Sequence, residues 1–376
     1  MTTCKSCPEA EASKPILGES FDPWYVLLSP PERVGERRLF HSWPPSLPEV
    51  GVGVDYQEIA HQASRCAKGV IRERWRDLRK FTPVESAALL LSSQKFRSGP
   101  SLQVREYLRR MYERSGDKVE YVLPSFPFKI PNMEKSPYGH FDAGEILCLQ
   151  RLQLINEVTT ELLDKPSVFH VVSDGKIYSD ICGVNAETYQ GYSRSARQAI
   201  GQMELAGSLD YVDMVDDVIG DRREEFSETL GRVKEELASW WEVNRGSKPV
   251  QYLIRNMSSN VNFYLELECL AYGNLFGMLG DRRGDELKSL MSRKVEDAAF
   301  LFMAKLVTLK VLDVLAERYP GSVRATVHPK IGQFGIHLVN SKTRVFPWQG
   351  VPLRGSDGRF RIVSPRLRLG ITLGAW

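Results

Sequence analysis

Apolar residues recur at helical intervals from Tyr56 onward, and again in PVESAALLLSSQKF and SLQVREYLRRMYERSG, so three helices are expected before residue 117. KVEYVLP then reads as a strand, and it runs directly into LPSFPFKIPNMEK, where Lys129 stands between Pro127 and Pro131. Proline removes a backbone donor and restricts the residue before it, so this segment is expected to be a constrained loop just past a strand end. In FDAGE, Asp142 and Glu145 have capping-box spacing ahead of Ile146, Leu149, Leu152 and Ile155, which predicts a helix that Pro166 ends. SVFHVVSDGKIYSDI reads as two β-rich runs about a Ser-Asp-Gly turn, either a hairpin or a strand with a return strand. Asn185 is expected to cap the next helix, and LDYVDMVDDVI suits a short strand or a helix start equally.

Long helical patterns follow at roughly 221–243, 247–278 and 284–318, and the chain turns β again in SVRATVHP, FGIHLV and TRVFPWQGV, with a GSDG turn before an Arg-rich end. Strands on both sides of a helical block predict an α/β class: a mixed central β-sheet flanked by helices, with a helical insertion. The expected organisation is a mobile polar tail over 1–20 and a single α/β unit over 21–376. Within that unit, 21–117 is the N-terminal helical part, 118–220 the sheet and motif region, 221–318 the helical part and 319–376 the C-terminal strands.

Composition narrows the function classes. Hydrophobic residues make up 42% of the 376 and charged residues 26%, the balance of a globular chain, and a net charge of +3 gives no argument for nucleic acid. The six cysteines are scattered, and the N-terminus lacks a basic-then-apolar signal pattern, so a reduced, cytoplasmic setting without a membrane anchor is expected. Cys4 and Cys7 form one CxxC, but a structural zinc site wants a second pair or nearby histidines, and the next histidine is His41.

Polar groups at strand ends are the candidates for chemistry, because open α/β sheets bind ligands there. They are Lys129, Asp174, Asp180, His328, Lys330 and His337, with Ser173 beside Asp174. Ser-Asp-Gly is also what a tight turn wants, and Asp142 is explained as a helix cap. His328 precedes Pro329 and is held extended, where its titration suits acid-base work as well as a satisfied core position. His328 and His337 fall on neighbouring expected strands and could meet across a hairpin, but without a carboxylate at defined spacing they do not make a metal site. Arg255, Arg282, Arg283, Arg293, Arg324 and Lys330 have the chemistry of a phosphate clamp, or of solvated helix faces. There is no Walker loop and no GxGxxG after a strand.

Taken together, FPFKIPNMEK, SDGKIYSDICGV, TVHPK, GIHLVNS and FPWQGV resemble, in order over roughly residues 110–352, the pyoverdine/dityrosine biosynthesis family of isonitrile (isocyanide) synthases and spore-wall dityrosine proteins. The chain departs from the family at Gln349, where a histidine commonly follows the tryptophan. The resemblance implies a cofactor-free lyase that condenses the α-amine of an amino acid, tyrosine or tryptophan by the family's habit, with the ketone of ribulose 5-phosphate. The sugar then fragments and leaves one carbon on nitrogen as an isonitrile. On that reading Lys129 holds the sugar phosphate or polarises the ketone, Asp174 and Asp180 orient the amine and shuttle protons, and His328 is acid or base. Ser173, Arg255, Arg324, Lys330, His337 and Trp348 bind substrate. An iron/2-oxoglutarate oxygenase downstream in the pathway is the implied partner. The alternatives are an enzyme of the dityrosine branch that forms an N-formyl amino acid, and a non-catalytic scaffold member of a biosynthetic cluster.

Overall fold

The computed structural model describes residues 55–100, 103–124, 126–129, 141–182, 184, 186–257, 282–340, 345–354 and 360–363. The expected tail and its CxxC, Pro131, the Asn185 cap, the GSDG turn and the Arg-rich end lie outside the described residues.

Three helices come first: α1 (Tyr56–Leu78), α2 (Pro83–Leu91) and α3 (Val104–Arg114). Strand β1 (Val119–Pro124) follows, then α4 (Ala143–Leu163), β2 (Ser167–Ser173), the single turn α5 (Gly175–Tyr178), α6 (Ala186–Gln202) and β3 (Leu209–Asp213). A π-helical turn, Met214–Ile219, leads to α7 (Arg223–Asn244), a helical stretch at 248–257, α8 (Arg282–Leu312) and α9 (Val314–Arg318). The chain then returns through β4 (Val323–Thr326), β5 (Phe334–Gly335), a 3-10 turn at Pro347–Gln349 and the ribbon β6 (Val351–Arg354) and β7 (Phe360–Val363). The α/β class and the helical insertion are as expected.

The five-stranded sheet has the order β3-β2-β1-β4-β5 and every described pairing in its ladder is parallel; antiparallel pairing is confined to β6–β7 and an isolated bridge between Arg97 and Ile336. Strands β1 to β3 progress in one direction, and after the insertion the chain re-enters on the other side of β1. The order therefore reverses between β1 and β4, and the crevice outside their carboxyl ends is where such sheets bind ligands.

Alternation along the strands builds two cores. Tyr121, Leu123, Phe169, Val171 and Tyr211 face a cluster with α1 to α4 and α6, whereas Val122, Val172 and Val212 face α5 and the inserted helices. Below the strand ends the first core is pinned by Tyr121, whose hydroxyl lies 2.7 Å from both Tyr112 Oη and Thr159 Oγ1 and whose ring stacks on Phe169 at 5.0 Å. Such a satisfied buried network gives the site a rigid floor.

Two local expectations are corrected. The Ser-Asp-Gly segment is not a hairpin: β2 pairs with β3 in parallel, and the chain after Ser173 turns into α5, sending Ile177, Tyr178 and Ile181 into the second core. His328 and His337 do not face each other across a hairpin either, because β4 and β5 run parallel. Their connection doubles back with Gly332 at φ 79°, and Pro329 wedges against Gly99 and Gly335 so closely that a Cβ on Gly335 would lie 2.4 Å from its ring and 2.6 Å from the Ser98 carbonyl oxygen.

Candidate active site at the carboxyl ends of the strands

The loop after β1 carries Lys129 inward. Its side chain is wholly buried and its ammonium nitrogen ion-pairs with Asp142 and, at 2.9 Å, with Glu145 Oε2. Both carboxylates also perform the capping read from the sequence: Asp142 Oδ1 accepts from Gly144 N at 2.7 Å, and Glu145 Oε2 accepts from Asp142 N at 3.1 Å. Tyr192, buried on α6, donates its hydroxyl to Glu145 Oε1 at 3.1 Å and packs its ring edgewise on Phe141. One cation faces two carboxylates out of water. Burial is the main force on Glu145 and pushes its carboxyl up to about 8, with Lys129 opposing and Asp142 adding to the rise. This centre can therefore hold or release a proton near neutral pH.

A second acidic centre stands at the ends of β2 and β3. Ser173 and Asp213 are register partners, and Asp174 follows immediately. Asp174 is buried, its Oδ1 has no hydrogen-bond partner among the described residues, and burial with the neighbouring Asp213 pushes its carboxyl up to about 7. Asp213 Oδ1 caps the π-helical turn, accepting from Val215 N at 2.8 Å and Asp216 N at 3.0 Å, and burial raises its carboxyl as well. The two centres touch through Phe128 and Gly175: a Cβ on Gly175 would sit 2.5 Å from Phe128 Cδ1, so the lysine loop packs directly on the Asp174 turn.

An aromatic chain runs across the strand ends from the loop after β4 to β3. The His328 ring lies edgewise to Phe346 at 5.3 Å, Phe346 stacks on Trp348 at 5.3 Å, Trp348 meets Phe126 at 5.3 Å and Phe126 meets Tyr211 at 6.0 Å. His328 is exposed to solvent, and the partial desolvation of its ring by neighbouring groups lowers its pKa.

Lys129, Ser173, Asp174, His328 and Trp348 thus sit at strand ends or on the turns and loops beyond them. The other sequence candidates are held elsewhere or differently. Asp180 is exposed and ion-pairs at 2.8 Å with Lys305 of α8, whose ammonium also donates to the Ile177 carbonyl at 2.6 Å. Arg324 lies inside β4, pairs with Asp313 at 3.3 Å, and burial lowers its pKa. Arg255 stands exposed in the 248–257 stretch with Nε donating to its own helix at Gln251 O. His337 is bound through its backbone, donating to Phe96 O and accepting from Arg151 Nε at 3.3 Å. Lys330 is part-exposed on the loop after β4, where its backbone N donates to Gln333 Oε1. Among the described residues no group of three or more His, Cys, Asp or Glu side chains is placed to hold a metal ion.

Glu145, Asp142, Asp213 and Tyr192 were missed as site residues. The capping box accounts for the first two on local grounds, and only the fold brings Lys129 to their remaining lone pairs. Asp213 is one of several acidic positions inside LDYVDMVDDVI, a segment whose strand or helix character the sequence leaves open.

A family model described as pyoverdine/dityrosine biosynthesis protein matches residues 110–366. An L-tyrosine isonitrile synthase of Pseudomonas aeruginosa is 26% identical over 268 residues, which are 68% of this chain and 76% of that protein. An L-tryptophan isonitrile synthase of Fischerella ambigua is 23% identical over 278 residues, 72% of this chain and 76% of that one. The crystal structure of the PvcA protein from Pseudomonas aeruginosa has the same fold, with a TM-score of 0.56 at 21% identity over 77% of this chain and 94% of that chain. With the family model matching more than half of its residues, this chain belongs to the pyoverdine/dityrosine biosynthesis family.

Proposed function

We propose that the chain is an isonitrile synthase, a lyase that converts the α-amine of an aromatic amino acid of the tyrosine or tryptophan type into an isonitrile, taking the carbon from ribulose 5-phosphate. The observation that carries this reading is the pair of buried acid centres, Lys129–Asp142–Glu145 and Asp174–Asp213, at the strand ends in a family that includes named isonitrile synthases. Condensing an amine with a ketone, expelling water and fragmenting the sugar are successive proton transfers. Groups poised near neutrality are what such steps need.

Roles follow from charge. Two carboxylates neutralise Lys129 and leave no net positive charge for a phosphate dianion, so phosphate binding is better served by Lys330 and other basic groups beyond β4. Lys129 instead ion-pairs with Asp142 and Glu145 and opposes the rise that burial imposes on Glu145, which exchanges protons with the reacting carbon and nitrogen. Asp174, neutral up to about pH 7, is the acid for the departing water. His328, held neutral, is a base on the opposite wall. Asp180 acts through its bridge to Lys305.

Incubating the purified chain with L-tyrosine or L-tryptophan and ribulose 5-phosphate tests this directly. An isonitrile stretch in the infrared with release of inorganic phosphate is expected. A formylated amino acid without isonitrile would move the chain to the dityrosine branch, whose spore wall maturation protein in Saccharomyces cerevisiae is 30% identical over 91 residues. Absence of turnover with both amino acids would overturn the reading.

A further inference from the structure

We propose that the Tyr178 hydroxyl and the Asp174 carboxyl form a two-donor hole for the ketone oxygen of the carbon donor, with Tyr178 a catalytic residue. The proposal rests on the isonitrile-synthase reading above and adds to it the group that stabilises charge on oxygen.

Asp174 is the N-cap of α5 and Tyr178 its last residue, one turn apart, and the two side chains are near enough for the carboxyl to act on the phenol. Both residues are more than nine-tenths buried, with 9% exposure for Asp174 and 6% for Tyr178. Both present a polar atom, Oδ1 and the phenolic oxygen, that has no hydrogen-bond partner among the described residues. Buried polar atoms are nearly always paired, because an unpaired one loses its hydration with nothing in return, so two orphans on one turn point to a bound group. The phenol is fixed: its ring packs on Phe302 of α8 at 4.6 Å. The carboxyl is fixed too, since Gly175 beside it lies under Phe128. Burial and the neighbouring Asp213 keep Asp174 protonated up to about pH 7, so it can donate, and burial with Asp174 nearby raises the phenol so that it stays protonated. A neutral carboxyl and a phenol, both buried, unpartnered among the described residues and one turn apart, would supply the two donors of a preorganised hole for a developing oxyanion.

The amine lone pair forms the C–N bond while the carbonyl π pair moves to oxygen, which takes the Asp174 proton; Tyr178 hydrogen-bonds to that oxygen and keeps its own proton. The nitrogen returns a proton to the Asp174 carboxylate. A second donation from Asp174 expels the oxygen as water as the imine forms, and the iminium N–H restores the acid.

Tyr178→Phe removes only the hydroxyl. The expected result is a fall in kcat of about 10²–10³-fold with KM for both substrates within about threefold, because the lost bond strengthens in the transition state. The melting temperature of the ligand-free variant should equal or exceed that of wild type. An unchanged kcat, or a melting temperature lowered by several degrees through loss of a structural partner, would overturn the proposal. A second readout needs no turnover: infrared difference spectra of ribulose 5-phosphate labelled with carbon-13 at the ketone, bound without amino acid. The carbonyl band should shift to lower frequency on wild type and by less on the Tyr178→Phe variant. Binding with a solution-like band on wild type refutes the hole and leaves the isonitrile-synthase reading standing. A failure of ribulose 5-phosphate to bind at all refutes both.

Discussion

At the scale of single residues, the site is defined by charges placed where water cannot reach them. Lys129 is the sole cation ion-paired with Asp142 and Glu145 among the described residues, and Lys129→Met would leave two carboxylates buried without it. Breaking a buried pair in this way costs about 3–5 kcal/mol. Urea denaturation should show that loss, and adding Glu145→Gln to the same chain should recover part of it; a variant as stable as wild type would mean that the lysine is solvated. Asp174 gives a prediction with a definite sign. Its carboxyl is raised from 3.8 to about 7 in the folded chain. Below about pH 4 both folded and unfolded forms are neutral and stability is intact; as pH rises toward 7 the unfolded chain ionises first, and stability is lost until the folded carboxyl also ionises. Asp174→Asn cannot ionise, so its stability relative to wild type should increase by about 2–3 kcal/mol between about pH 5 and pH 8. A difference independent of pH would show that Asp174 is ordinarily hydrated.

At the scale of elements, the two acid centres are joined by close packing of one loop on another. A methyl group on Gly175 would meet the buried Phe128 ring at 2.5 Å and 3.2 Å, so Gly175→Ala must push the lysine loop away. Overpacking of this kind costs about 1–3 kcal/mol. Turnover should fall by more than stability does, because the displaced residue precedes Lys129, and Phe128→Leu in the same chain should restore the melting temperature. If Gly175→Ala alone is silent in both measurements, the loop and the turn are not coupled. The same contact shows what the sequence could and could not reveal. The long helices were legible because amphipathic spacing and the Asp142–Glu145 capping box are local signals, and β1 was legible from KVEYVLP. The parallel order β3-β2-β1-β4-β5 was not, since the partners of β1, β2 and β3 lie scores of residues apart and nothing local names them. For the same reason Ser-Asp-Gly read as a hairpin turn: its glycine is required by Phe128 on a different loop. Tyr192 and Asp213 joined the site only through the fold.

At the scale of the whole molecule, the inserted helices cover the second face of the sheet and reach the site through α5. Tyr178 packs on Phe302, Arg222 ion-pairs with Glu317, and Lys305 spans from α8 to the Asp180 carboxylate and the Ile177 carbonyl. The two ends of the Lys305 bridge are unequal. Asp180 has a side chain 63% exposed, so removing its charge should change stability by no more than about 1 kcal/mol. Lys305 is 8% exposed, and Lys305→Met strips the Ile177 carbonyl of its donor, a loss of about 1–3 kcal/mol. On the proposed reading, in which Asp180 serves turnover by fixing the turn that bears Asp174 and Tyr178, Lys305→Met should lower kcat/KM at least as much as Asp180→Asn. The double variant should be no worse than Lys305→Met alone, because both changes undo one bridge. A cycle in which Asp180→Asn abolishes turnover while Lys305→Met leaves it near wild type would instead place Asp180 in contact with the substrate, and the insertion would then be a cover for the sheet with no part in holding the site.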